Sequence, residues 1–153
     1  MRQSIEMETS AIHLLCEVSD CDESLLADYS YVKKACELAA LDGGASIIAS
    51  NGHKFSPQGV SVLLFLAESH LSIHTWPEHK YAAVDVYMCG AAVSPYRAIG
   101  RLVELLDAKR VNIREFIRGK QQGAEYFSVE KMHDGSGSRE CLENHICGIS
   151  RIA

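Results

Sequence analysis

The stretch VSVLLFLAESHLSIHTW, residues 60–76, decides the fold. Its first half, VSVLLFLA, is too short for a membrane span and too apolar for a strand with a wet face, so it is read as a central strand. Its second half, SHLSIHTW, alternates, with Leu71 and Ile73 on one side and His70, Ser72, His74 and Trp76 on the other. After the turn PEHK, the segment YAAVDVYMCG (81–90) returns as a further strand. Residues 60–90 are therefore expected to form an antiparallel meander.

Working outward, SAIHLLCEVS (10–19) alternates between polar boundaries and is predicted to be a strand. CDESLLADYSYVKKACELAALDGG changes period. Leu25, Tyr29, Val32, Cys36 and Ala39 share the face of one helix, with Asp22 as N-cap and Gly43 as stop. ASIIAS (45–50) is predicted to be a strand and NGHKFSPQG (51–59) a turn region. Ser94-Pro95 opens a second helix, with Ala98, Leu102, Leu105 and Leu106 on one face, which ends near Ala108. RVNIREFI (110–117) is the last predicted strand. The order β-α-β-β-β-β-α-β specifies an α+β fold, a two-layer sandwich of an antiparallel sheet with helices on one face. The domain is set at residues 1–119, and 120–153, which has a Gly/Ser break at 135–138 and no sustained period, is read as an extension.

Composition narrows the function. At 153 residues, 47% hydrophobic and 23% charged, the chain fits one domain with a real core, and three prolines leave little linker. A net charge of −5 and the absence of a basic stripe argue against a nucleic-acid partner. MRQSIEMETSAIHLL has no signal-peptide apolar core and no run approaches the ~20 residues of a membrane span, so a cytoplasmic protein without membrane contact is expected. Cys16 and Cys36 lie in apolar patterns and are read as buried thiols, and Cys21 precedes the first helix. CLENHIC offers Cys141, His145 and Cys147 but no fourth ligand, so no metal is expected.

The chemistry concentrates in AESHLSIHTWPE (67–78). A serine hydroxyl needs a base, and His70, His74 or both could serve, but the G-x-S-x-G turn of a serine hydrolase is absent. The plain alternative is the polar face of an ordinary strand, covered by a helix or a partner.

The segment FSPQGVSVLLFLAESHLSIHTWPEHKYAAVDVYMCG (55–90) closely resembles the prokaryotic S-adenosylmethionine decarboxylase proenzymes, with E-S-H-L-[ST]-I-H-T-W-P-E, Y-A-A-V-D and a closing C-G. The likeness extends more weakly to HLLCEVSDCDESLL and AKRVNIREFIRG, covering about residues 11–119. The resemblance implies a pyruvoyl-dependent decarboxylase of polyamine synthesis that cleaves itself between Glu68 and Ser69. Its cofactor is a pyruvoyl group made from Ser69, whose carbonyl takes the substrate amine and serves as the electron sink when CO2 leaves. His74 matches the processing histidine and Ser61 the serine that aids it. Cys89 matches the proton donor, a fitting role for a thiol near neutral pH. Phe55, Trp76 and Glu78 fall at or beside the adenine and ribose positions. A homodimer with sites shared between protomers is also implied. Ser69 and His74 have opposite parity on a regular strand, so the reading requires a bend near Ser69.

Departures leave alternatives open. Gly52 stands where the family often has Phe, Val62 where it has Gly, EHKY where E-Y-G-Y is common, Met88 in place of Thr, and Ala11 in place of Gly. The same pyruvoyl chemistry on L-arginine or L-ornithine is the first alternative. A non-catalytic homologue acting as a binding module is the second.

Overall fold

The structure is a computed structural model that describes residues 9–122 and 125–135, with side chains described over 9–119. Its elements are β1 (Ala11–Ser19), α1 (Glu23–Ala27), α2 (Tyr29–Asp42), β2 (Ile47–Lys54), β3 (Val60–Leu66), β4 (Ser69–Trp76), β5 (Tyr81–Cys89), α3 (Pro95–Leu105), β6 (Arg110–Gln122) and β7 (Glu125–Gly135). The strands form one seven-stranded sheet in the order β2-β3-β4-β5-β1-β6-β7. Every pairing is antiparallel. The three helices pack on one face, which makes the expected α+β two-layer sandwich.

The meander forms as predicted. Leu71 and Ile73 of β4 are fully buried beneath the helices, beside Val62, Leu64 and Leu66 of β3 and Val84 and Val86 of β5. Thr75 shares that face, and its buried hydroxyl donates to Leu26 O (2.9 Å) while accepting from Val60 N–H (2.8 Å). That satisfied hydroxyl ties the end of β4 to β3 and α1.

Four local expectations change. The single helix over 21–44 is two, because Asp28 is extended (φ −93°, ψ 107°) and its carboxylate accepts from Tyr31 N–H to cap α2. Asp22 caps α1 as expected, but the buried residue there is Leu26 and not Leu25. The strand placed at 45–50 instead runs through Lys54, across residues with turn character. Pairing with the apolar β3 overrides local propensity there, and only 55–59 remain as the turn. Finally, β6 runs across residue 119 to Gln122, and β7 joins it in the same sheet. Residues 141–147, with the candidate soft ligands, lie outside the described residues.

A further change concerns β3, which was expected to have no wet face. Its inner residues are buried, but Leu63 is 52% and Phe65 56% exposed. Among the described residues of a single copy, no helix packs on the sheet face opposite α1, α2 and α3. Cross-strand partners place Ser61, Leu63, Phe65, His70, Ser72, His74 and Trp76 together on it.

Candidate active site

At one end of β4 lies the Glu68–Ser69 peptide. Leu66 pairs with Ser69, so Ala67 and Glu68 make a two-residue hairpin loop. Such loops normally take Gly, Asn or Asp for positive φ, and this one has none. The cost appears at Ser69, whose φ is 137°, a conformation that L side chains rarely adopt. The irregularity is confined to the backbone angle: Ser69 keeps register with β3 and β5, and the bend expected to bring Ser69 and His74 together within one chain does not form. The turn is also clamped, since Ser46 N–H donates to Glu68 Oε2 (2.9 Å) and Ala67 N–H to Ser46 O (2.9 Å).

The Glu68 carbonyl points at Cys89. Its oxygen accepts from the Cys89 backbone N–H (3.0 Å) and from Cys89 Sγ (3.2 Å). Two donors on one amide oxygen are the arrangement that stabilises negative charge when a nucleophile adds to that carbonyl. Ser69 Oγ lies 3.5 Å from His70 Nδ1. A strained peptide, a polarised carbonyl, a hydroxyl and an imidazole therefore meet at one bond.

His74 is elsewhere. It lies five positions along the strand from Ser69, about 17 Å at the usual rise, and its Nδ1 shares a 2.7 Å hydrogen bond with Ser61 Oγ. An open groove of about 510 Å³ runs past them, lined by residues including Asn51, His53, Ser61, Leu63, Ser72 and His74. Phe55, 49% exposed, lies edge-on to His53. Trp76 rests on Tyr81, and Glu78 accepts from Gln58 Nε2 (3.1 Å). The sequence candidates thus fall into two groups at opposite ends of β4. Ser69, Glu68 and Cys89 form one, and Ser61, His74, Phe55, Trp76 and Glu78 the other.

Sequence reasoning missed the cluster beside Ser69. His13 Nε2–H donates to Asp85 Oδ1 (3.1 Å), and Arg118 donates to His13 Nδ1 (3.3 Å) while its guanidinium lies 4.7 Å over the Tyr87 ring. His70 packs edge-on to His13 and tilted against Tyr87. Burial, then the His13 ring, with Arg118 adding to them against Asp85, holds His70 below the ordinary imidazole range. Ligand atoms of His13, His70 and Asp85 lie within 4.8 Å of one another, but the Arg118 cation on His13 disfavours a second positive charge there. The signal was parity: His13 and Asp85 sit at open-face positions of β1 and β5. That the two strands are neighbours is not local information.

The S-adenosylmethionine decarboxylase family model matches residues 12–119. The chain belongs to the S-adenosylmethionine decarboxylase family. The S-adenosylmethionine decarboxylase proenzyme of Thermosipho africanus is 41% identical over 114 residues, covering 74% of this chain and 88% of that protein. That of Pelotomaculum thermopropionicum is 48% identical over 107 residues, covering 70% and 85%. The crystal structure of the adenosylmethionine decarboxylase from Aquifex aeolicus superposes with a TM-score of 0.70 at 32% identity, covering 77% of this chain and 98% of that one.

Within this family, several departures prove to be matters of packing. A Cβ on Gly52 would lie 2.4 Å from Ser61 O and 2.9 Å from the Tyr29 ring, so this chain has no room for a side chain there. Met88 and Ala11 are buried. Lys80 holds the left-handed conformation (φ 51°) that suits the Gly of E-Y-G-Y. Cys16, Cys21 and Cys36 are buried free thiols. Burial pushes Cys16 and Cys36 far up and Cys21 to about 11, which makes them inert. Among the described residues, no helix is long and apolar enough to cross a membrane.

Proposed function

We propose that this chain is a cytoplasmic proenzyme that cleaves itself between Glu68 and Ser69, and then decarboxylates S-adenosylmethionine to supply an aminopropyl donor for polyamine synthesis. The observation that carries the reading is the Glu68 carbonyl, held by two donors of Cys89 beside a Ser69 twisted to φ 137°. A relaxed hairpin would have no use for either feature. The residues fit the pyruvoyl group they would make. Ser69 is its precursor, and the Cys89 thiol already sits beside the carbonyl that adjoins it. Once formed, the group supplies an electron sink for loss of CO2. Cys89 is then placed to hand its proton to the substrate carbon.

The second group of candidates calls for a second copy. His74, Ser61, Phe55, Trp76 and Glu78 lie too far along β4 to reach Ser69 in the same chain. The sheet face that bears both groups also exposes Leu63, Phe65 and Trp76. A two-fold pairing of these faces covers that apolar surface and sets one copy's Ser69 end against the other's His74 end. Each site then takes Ser69 and Cys89 from one protomer. Ser61 and His74 for processing, and Phe55, Trp76 and Glu78 for the adenosyl group, come from its partner.

The substrate is tested with the processed protein and carboxyl-labelled adenosylmethionine, arginine and ornithine in parallel. Release of labelled CO2 from adenosylmethionine alone is expected. Release from arginine or ornithine in its place would overturn the substrate assignment, and release from none would favour a non-catalytic homologue.

A further inference from the structure

Self-cleavage begins with a proton problem. The Ser69 hydroxyl must lose its proton as it attacks the carbonyl, and the chain's own His74 is held by Ser61 at the far end of the strand, so that only a partner's His74, itself tied to Ser61 through Nδ1, could approach. Within the chain, His70 Nδ1 stands 3.5 Å from Ser69 Oγ. We infer that His70 is the catalytic base of the first step, taking the Ser69 Oγ proton on Nδ1 and returning it to the Ser69 amide nitrogen. This assignment rests on the self-cleavage reading of Glu68–Ser69.

The step balances. The Oγ–H proton passes to Nδ1, Oγ adds to the Glu68 carbonyl carbon, and the charge on the carbonyl oxygen falls on the two Cys89 donors. As the C–N bond breaks, the imidazolium returns its proton to the departing nitrogen. The product is an ester of Glu68 with Ser69 Oγ and a free Ser69 amine, with nothing gained or lost. Opening the amide also releases the strain at φ 137°. A distance of 3.5 Å is long for a hydrogen bond, but catalytic contacts in resting enzymes commonly start long and tighten on reaction.

The surroundings suit a base. His13 from β1, Asp85 and Tyr87 from β5 and Arg118 from β6 face His70, while Phe65 opposite it on β3 carries no charge. Asp85 is engaged by His13, which limits its power to hold a proton on His70. The net effect keeps His70 neutral, and so able to accept a proton, at and somewhat below neutral pH.

The test follows newly made precursor from cell-free synthesis, comparing wild type, His70→Asn and His74→Ala. Asn keeps a polar group near the Nδ1 position but is no base. Hydroxylamine, which cuts esters and spares amides, reports whether the first step has occurred. His70→Asn is expected to cleave about 10²–10⁴-fold more slowly and to resist hydroxylamine, whereas His74→Ala precursor, which keeps His70, still forms the ester and is cut by it. Cleavage of His70→Asn near the wild-type rate, or its rapid cutting by hydroxylamine, overturns the assignment. Wild-type rate against pH keeps the assignment open to refutation even if the variant misfolds. A plateau through neutrality that falls only on the acid side is expected, and a steady climb from about pH 7 to 9, as for hydroxide attack, contradicts it. An uncleaved wild type would overturn the self-cleavage reading itself.

Discussion

At the scale of single residues, Cys89 is asked to act twice. Its backbone N–H and its thiol both hold the Glu68 carbonyl, and in the proposed reaction the thiol serves as proton donor after cleavage. Cys89→Ala keeps the backbone donor, so self-cleavage should slow only about tenfold, a smaller loss than for a full oxyanion-hole donor. Decarboxylation by the cleaved protein should drop by about 10²–10⁴-fold, the usual worth of a proton donor. Gel densitometry of the two chains and CO2 release measure the two effects separately, and loss of both to the same degree would argue against two roles. The sequence identified Ser69, His74 and Cys89 through their motif. It could not show the strain at Ser69 directly, yet a two-residue turn made of Ala67 and Glu68, with no Gly or Asn, was a legible sign that the backbone must be forced.

At the scale of elements, alternation made the meander legible because one face of β3, β4 and β5 is packed under helices. The errors came where tertiary pairing overruled local preference. β2 runs through Asn51 and Gly52 because β3 supplies its partner, and α2 starts afresh at Asp28 because that side chain caps it. The turn between β4 and β5 carries a testable cost. Lys80 is exposed and left-handed at φ 51°, a conformation about 1 kcal/mol costlier for an L residue than for Gly. Lys80→Gly should therefore stabilise the protein by up to about 1 kcal/mol in denaturant unfolding, less the entropy Gly adds to the unfolded chain. A loss of stability would show that the Lys80 side chain holds something at the turn.

At the scale of the whole molecule, the sheet face that no described helix covers is the feature left to explain. The apolar run of β3 signalled two covered faces, and the helices cover only one. Sequence could state that cover was required and could put Ser69 and His74 on one strand, but not that the two would stay apart within one chain. If partner chains complete each other's sites, then Ser69→Ala and His74→Ala, each uncleaved alone, should complement. Co-expressed, they form a mixed dimer in which the His74→Ala chain keeps its own Ser69 and meets an intact His74 from its partner. Cleavage of the His74→Ala chain is expected, and none would place both residues' work within one chain. The account as a whole stands on the breaking of one peptide bond, which intact-mass measurement of the purified protein tests most directly. Two chains are predicted, one ending at Glu68 and one beginning at residue 69 with a hydrazine-reactive carbonyl in place of its amine, and both should vanish in Ser69→Ala. A single uncleaved chain of 153 residues, or cleavage that persists in Ser69→Ala, would contradict it.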